Sequence, residues 1–504
     1  MSLLSPTVFI LPTLIGALLL HLVWSERQLS LLFFKVFLGI GIGLGISSLL
    51  YLLYMLLFAG QHWFIFVQIA IAMGLLIAVI WVERKRGGLY LPRWNLTRIQ
   101  NIFLGIALVI FVVSSLSTVS YLLRRKQGDW DAWMMYNRSA LFAYRGQSNW
   151  MAASFSRQMD PIFHPDYPLL LAMNTAWGWD TVGGETPRIP MTQSALFAIA
   201  CVGILVSALA STKSPGQAAL GLIILWGTPT LVNEGAREMA DLPLAFFILA
   251  TGILIYFYVI HKKPALIALA GLTAGLAAWT KNEGSLFVIS AGVALAAAFL
   301  FEHAVAAKTQ NHENTKNENF ATSRLRDLAV KFWNNSLRIL LLYALGLAFP
   351  FAVVIGFKLF LAPPSDVLSN GPTRSIQQIL ELPRHLEILQ FLGRELFYFG
   401  GWTSLIGVIP ILIIYLLFFR LPINQDLRPA FIAGITMIAV QLLGDYGVYL
   451  ITPYDLTWHL SYSIERIVLQ IFPLIVFLIL CTSKTPESIF GGESVKLSTE
   501  NKIA

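Results

Sequence analysis

Two aspartates separated by one tryptophan, Asp129 and Asp131, stand directly after a hydrophobic segment of this chain. Only 12% of all residues are charged, so acids at the edge of an apolar segment are unusual here. Carboxylates in such a place cost free energy unless they are solvated, paired or functional. A positioned carboxylate can accept the proton of a reacting hydroxyl or amine group. We therefore take both aspartates as candidate catalytic residues.

Four further polar clusters interrupt the apolar sequence, and they bring acids, bases and aromatic residues together. Lysine and arginine can neutralise a departing phosphate, while a carboxylate can activate the group that replaces it. Tryptophan and tyrosine offer flat faces to a sugar ring. The candidate substrate-binding residues are His164, Asp166, Tyr167, Arg237, Glu238, Asp241, Lys281, Glu283, His459 and Arg466.

Structural roles remain open for several of these residues. Asp129 is a favoured residue type for capping the amino end of a helix. Lys281 could extend its ammonium group towards lipid head groups. Glu238 and Asp241 could complement the dipole of a following helix. The joint occurrence of the five clusters nevertheless favours a shared polar cavity.

A metal ion has weaker support. Asp129 and Asp131 could hold a divalent cation together with phosphate oxygens of a substrate. Two acids two positions apart are common, however, and the sequence has no His/Cys cluster typical of zinc. It also has no glycine-rich phosphate loop. We predict that no cofactor is required and that no metal-ligating residues are present, with a divalent metal as the less favoured alternative.

The composition is that of a polytopic helical membrane protein. The chain has 504 residues, is 57% hydrophobic and has a mean hydropathy of +0.70. Its apolar runs of about 20 residues can cross the hydrocarbon core as helices. We predict an all-α fold with about thirteen transmembrane helices. The predicted spans are residues 5–24, 31–58, 62–82, 99–122, 191–211, 217–233, 241–260, 265–280, 284–303, 337–361, 403–419, 429–451 and 467–483.

Basic residues predict the orientation. They concentrate in loops after the third, seventh, ninth and eleventh spans, which places those loops in the cytoplasm. The five polar clusters then lie on the outer face. These loops also account for the net charge of +8, so we expect no nucleic-acid partner. We predict a multi-pass protein of the inner (plasma) membrane, surrounded by membrane lipids, with an extracytoplasmic active site.

The predicted organisation has five parts. Two outer segments contain amphipathic helices that lie along the membrane surface, at 132–145 and 375–399, the second with a break at Pro383. The parts are 1–98 with three spans and a basic loop, 99–303 as a core with outer loop 123–190, 304–336 as a flexible cytoplasmic linker, 337–483 with outer segments 362–402 and 452–466, and 484–504 as a cytoplasmic tail.

The order of the polar motifs resembles the GT-C membrane glycosyltransferases. The similar group is the family 39-like one, which includes protein O-mannosyltransferases and lipid A aminoarabinose transferases. The resemblance covers about 99–301, together with the segment TPYDLTWHLSYSIERIVLQIFP near the end of the chain. Its motifs are DWDAWMMYNRSALFAYRG, HPDYPLL, AREMADLPLAFF and GLAAWTKNEG.

This resemblance implies a GT-C-like bundle and an inverting transfer from a polyprenyl-phosphate-linked sugar to a lipid, glycan or protein acceptor. It implies that Asp131 is the catalytic base, with Asp129 as the second candidate. Many relatives have a second acid where this chain has Ala132, so a two-acid site would use Asp129 or Asp166. Three spans precede the motif-bearing helix, whereas relatives usually have one.

Two other classes of function remain as alternatives. One is a transporter or flippase of lipid-linked sugars, although such sites usually lie at mid-membrane between repeated halves. The other is a catalytically inactive relative that acts as a membrane assembly partner.

Overall fold

The computed structural model describes residues 5–84, 96–156, 163–314, 321–365 and 371–491, without the side chains of 306–335. Within these ranges the regular elements are helices, apart from an isolated bridge between Arg420 and Ser483. The predicted all-α fold is therefore confirmed. The helices are α1 Ile10–Val23, α2 Leu29–Phe58, α3 Phe64–Glu83, α4 Arg98–Arg124, α5 Asn137–Gly146, α6 Trp150–Ser154, α7 Leu170–Val182, α8 Arg188–Thr212, α9 Pro215–Trp226, α10 Pro229–Glu234, α11 Asp241–His261, α12 Pro264–Thr280, α13 Asn282–Asn314, α14 Ala321–Phe360, α15 Gly371–Leu380, α16 Leu382–Tyr398, α17 Val408–Phe419, α18 Arg428–Ile451, α19 Leu456–Thr482 and α20 Pro486–Phe490.

Ten helices in the described part of the chain are long and apolar enough to cross a membrane. They are α1 with the short 3₁₀ turn before it, α2, α3, α4, α8, α11, α13, α14, α18 and α19. Three shorter apolar helices, α9, α12 and α17, fall on the other predicted spans. The polytopic membrane class is thus supported by ten helices, and the count of thirteen crossings stays a prediction.

The centre of the bundle is formed by α11 and α19. In their most apolar windows, 89% of α11 and 83% of α19 is buried within the protein. Helix α11 packs on α12 and α19, and α12 packs on α14. A Cβ atom on Gly271 of α12 would lie 2.0 Å from the Tyr343 carbonyl oxygen of α14. Glycine is needed there because the two backbones approach each other directly.

The segments predicted to lie along the membrane surface are helical. The first begins with a turn of π-helix, Ala132–Tyr136, and continues as α5. The second is divided into α15 and α16 at Glu381, two residues before Pro383. Both α15 and α16 leave apolar side chains exposed, among them Ile376, Leu382 and Leu386.

Four predicted segments are either helical in part or lie outside the described residues. The segment 304–336, expected to be a flexible linker, is helical up to Asn314 and again from Ala321, and 315–320 lie outside the described residues. Helices extend easily once started because each added residue gains one hydrogen bond. Helix α19 begins at Leu456, so most of the outer segment 452–466 is helical. Residues 85–95 of the basic loop and 492–504 of the tail also lie outside the described residues.

Candidate functional site

Asp131 and Asp241 are joined by one guanidinium group. The Nη2 atom of Arg466 lies 2.6 Å from Asp131 Oδ2 and 2.8 Å from Asp241 Oδ2. Arg466 Nε also donates to Asp241 Oδ2, at 2.8 Å. The side chain of Asp241 is fully buried, whereas those of Asp131 and Arg466 are 14% and 15% exposed. Asp131 therefore lies at the accessible edge of a buried ionic network.

Lys281 extends this network on the buried side. Its ammonium nitrogen lies 3.0 Å from Asp241 Oδ1 and 2.7 Å from Glu283 Oε1. Gln470 donates a further hydrogen bond of 2.8 Å to Asp241 Oδ1. The network contains three carboxylates and two cations, so a protonated acid or an added cation would make it neutral. Charges this deep in a helical bundle persist only when they are paired in this way.

The helices bring these groups together from distant parts of the chain. Asp241 is the first residue of α11, and Lys281 is the extended residue between α12 and α13. Arg466 and Gln470 are one turn apart on α19 and therefore share a face. Asp455 caps α19 by accepting a hydrogen bond of 2.8 Å from the Trp458 amide. This cap is why the helix starts early enough to include Arg466 in a regular turn.

Asp129 belongs to a second, more exposed ionic group. Arg237 Nε donates to Asp129 Oδ2 at 2.9 Å, and Arg237 also pairs with Glu234. Arg125 lies 3.4 Å from the same Asp129 oxygen. Burial raises the pKa of Asp129, but the hydrogen bond and charge of Arg237 outweigh it and hold the pKa below its ordinary value. Asp129 is therefore an ionised, paired carboxylate.

The turn that holds Asp129 depends on a close backbone approach. The Asp129 amide donates to the Arg237 carbonyl oxygen at 3.1 Å. The preceding residue, Gly128, has a φ of +70°, and a Cβ there would lie 2.3 Å from that carbonyl. A larger residue would push the aspartate turn away from Arg237. Asp129 is thereby held against Arg237, whereas Asp131 contacts Arg466.

Glu238 is buried beside the network but outside it. It has a φ of +57°, and its Oε2 accepts a hydrogen bond of 3.1 Å from Asn137. Burial raises its pKa to about 8 despite that hydrogen bond. A cavity of about 10 Å³, lined by Glu238, Tyr136 and Gln193 among others, adjoins it. That volume suffices for about one water molecule.

His164, Asp166 and Tyr167 belong to one turn. The Tyr167 amide donates to the His164 carbonyl at 3.0 Å, and the two rings lie 4.7 Å apart. Asp166 is buried and accepts a hydrogen bond of 2.8 Å from Asn282, directly after Lys281. Lys358 of α14 donates to the Asp166 carbonyl and, at 2.7 Å, to Asn282 Oδ1. This turn is therefore attached to the α12–α13 junction that carries Lys281.

His459 lies near the start of α19. Its Nδ1 is 2.9 Å from Thr452 Oγ1, and its ring contacts those of Tyr449, Tyr454 and Trp458. It precedes Arg466 by almost two turns of α19. The contacts therefore place His459 in an aromatic cluster.

Several residues of the site were not among the sequence predictions. Gln470, Asn137, Lys358 and Glu234 contact the predicted residues directly. Gln470 and Lys358 could be identified from the sequence, because each lies inside a predicted apolar span, where a polar side chain usually has a partner. The second acid joined to Asp131 is Asp241, whereas the sequence pointed to Asp129 or Asp166. Asp166 instead binds Asn282 and Lys358.

No group of three or more His, Cys, Asp or Glu residues that could hold a metal ion occurs among the described residues. Asp129 and Asp131 pair with different arginines. Divalent metals prefer several convergent oxygen ligands. The geometry found here is that of ion pairs between side chains.

Fold and site together define a polytopic α-helical membrane protein with a largely buried ionic network joining the ends of several helices. Comparisons of the chain with protein-family models, with curated proteins and with solved structures found no match.

Proposed function

We propose that this protein is a membrane glycosyltransferase that moves a sugar from a polyprenyl-phosphate donor to a lipid, glycan or protein acceptor on the extracytoplasmic face. The observation that supports it best is the contact of Asp131 with Arg466. A carboxylate able to accept a proton stands beside a cation able to receive a phosphate. The motif resemblance described above supplies the reaction class.

In the proposed reaction, Asp131 takes the proton of the acceptor hydroxyl or amine. The acceptor atom forms a bond to the anomeric carbon of the sugar as the bond from that carbon to the phosphate oxygen breaks. The bonding electrons leave with the lipid phosphate, and the configuration at the anomeric carbon inverts. A positioned base of this kind contributes about 10²- to 10⁴-fold in rate.

The accessibility of the three predicted cations differs. The side chain of Arg237 is 32% exposed and that of Arg466 is 15% exposed, but that of Lys281 is only 5% exposed. Arg466 and Arg237 are therefore the better candidates for direct contact with phosphate. Lys281 would act mainly by holding Asp241, which in turn fixes the guanidinium of Arg466.

The proposal is tested with purified protein in proteoliposomes. A panel of labelled polyprenyl-phosphate sugars is offered together with membrane lipid, glycan and protein fractions as acceptors, and transfer of label is measured. Asp131→Asn should reduce transfer at least about 100-fold. Asp455→Asn is a matched control, because Asn also caps helices well and Asp455 has no contact with the network among the described residues.

Unchanged turnover in Asp131→Asn would remove that residue as the base. If no donor yields product while the intact lipid-linked sugar crosses the bilayer, the protein is a transporter. If neither transfer nor flux is found, the inactive assembly partner becomes the better interpretation.

A further inference from the structure

A second cavity lies between the end of α4, the short helix α10 and α19. Its volume is about 250 Å³, and the residues that line it include Tyr121, Arg125, Glu234, Arg237 and Glu465. This is about eight times the volume that one water molecule occupies in the liquid. The cavity can therefore hold a molecule of the size of a lipid head group.

The walls of this cavity carry both signs of charge. Arg125 and Arg237 supply two cations, and Glu234 and Glu465 supply two carboxylates. Glu234 is 2% exposed, and its Oε2 has no hydrogen-bond partner within the described residues. Such an oxygen costs free energy until a donor reaches it. The Glu465 Oε1 atom accepts one hydrogen bond, of 2.9 Å, from Thr230.

A third acid lies near Glu465, outside the lining of the cavity. Glu395 of α16 lies close enough to Glu465 to respond to its charge. Burial, and then the charge of Glu465, raise the pKa of Glu395 to about 7. The end of the cavity that carries Glu234 and Glu465 therefore favours a cationic group that can donate hydrogen bonds.

The positive side adjoins the exposed apolar face of α4. Arg124, Arg125 and Lys126 are consecutive exposed cations at the end of α4. The same helix exposes apolar side chains such as Leu116, Val119 and Leu123. The side chain of Arg125 is 56% exposed. Arginine there can bind a phosphate by paired, charge-assisted hydrogen bonds.

We propose that this cavity binds a zwitterionic phospholipid head group that carries a primary ammonium. The phosphate lies against Arg125, and the ammonium donates to Glu234 and Glu465. The walls carry cations and carboxylates, as a ligand with one phosphate and one ammonium requires. The lipid enters along the exposed face of α4.

The test uses the full-length protein, delipidated in detergent, and short-chain lipids measured by native mass spectrometry. Phosphatidylethanolamine is compared with phosphatidylcholine, which has the same charges but no ammonium hydrogens, and with phosphatidylglycerol, which has no ammonium. We expect phosphatidylethanolamine to bind about tenfold more tightly than either, since hydrogen bonds between charged groups are strong.

Single substitutions test the acidic side and the basic side of the cavity independently. Glu465→Gln should reduce the preference for phosphatidylethanolamine over phosphatidylcholine to about twofold or less. Arg125→Gln should weaken the binding of both lipids, because both carry the phosphate. Arg124→Gln, one residue away and not lining the cavity, is the matched control. If Glu234→Gln does not fold, because Glu234 also pairs with Arg237, the exposed Glu465 still provides the test.

Equal binding of the three lipids, or a preference that survives Glu465→Gln, would overturn the proposal. Displacement of phosphatidylethanolamine by an equimolar polyprenyl phosphate would also overturn it and assign the cavity to the glycosyl donor. The readout is binding alone, so its result is independent of whether the protein transfers sugars.

Discussion

The guanidinium group of Arg466 lies 2.6 Å from the carboxylate of Asp131, and the same group holds the fully buried Asp241. Arg466 therefore connects the accessible acid to the buried part of the network. Any change at this arginine affects both the stability of the bundle and the position of the Asp131 carboxylate. The effect on stability is measured with Arg466→Met, and the effect on transfer with Asp131→Asn.

Replacing Arg466 with methionine should destabilise the protein strongly. It leaves Asp241 buried with Lys281 as its remaining cation, and breaking a buried ion pair costs about 3–5 kcal/mol. We expect a lower yield and a lower apparent melting temperature in detergent. The double variant Arg466→Met with Asp241→Asn should regain part of that loss. Arg125→Gln, at an exposed pair worth about 1 kcal/mol or less, is the control, and an equal effect there would contradict the argument.

Asp129→Asn should have a milder effect than Asp131→Asn. Asp129 is about one-third exposed and bound to Arg237, which keeps Glu234 as a second partner. We expect transfer to fall less than about tenfold, against at least about 100-fold for Asp131→Asn. Parallel turnover assays on the two variants measure this difference. The reverse order would make Asp129 the base.

Glu238→Gln should stabilise the protein at neutral and alkaline pH. The pKa of Glu238 is about 8 in the folded protein and 4.5 for an ordinary glutamate, so its stability contribution falls as the pH rises from 4.5 to 8. Over that interval the unfolded chain releases a proton that the folded chain keeps. At pH 7 this difference in proton binding lowers the free energy of unfolding by roughly 3 kcal/mol.

The measurement for Glu238 is the apparent melting temperature in detergent between pH 5 and pH 8. The wild type should lose stability over this interval, and Glu238→Gln should lose much less. Glutamine can still accept the Asn137 hydrogen bond, so packing is preserved. Glu185→Gln, at a partly exposed pair with Arg145, serves as control. A parallel pH dependence in wild type and Glu238→Gln would refute the assignment.

Lys358→Met should loosen the turn that contains His164, Asp166 and Tyr167. Its ammonium binds the Asp166 carbonyl and Asn282, so its loss removes the link from this turn to α14. Hydrogen exchange followed by mass spectrometry should show faster exchange in residues 164–169. Lys263→Gln, at a distant pair with Glu26, should leave these residues unchanged. Unaltered exchange in Lys358→Met would show that the turn is held by other contacts.

Much of the architecture follows from local sequence. Each predicted span overlaps a helix, although span 217–233 is divided between α9 and α10 and span 403–419 is helical only from Val408. A run of apolar residues must satisfy its backbone hydrogen bonds internally in a membrane. The break before α16 follows in the same way from Pro383, whose ring prevents a continuous helix. Helix α19 starts at Leu456, before the predicted span 467–483, where Asp455 caps it by accepting a hydrogen bond from the Trp458 amide.

The pairing of the charged residues was decided only by the tertiary structure. Sequence alone indicated that Asp131, Asp241 and Arg466 belong to polar clusters between spans. It did not indicate that one guanidinium joins the two acids, because Asp241 and Arg466 are 225 residues apart in the chain. Long-range ion pairs depend on how α11 and α19 pack at the centre of the bundle, and hydrophobic periodicity carries no information about which helices become neighbours.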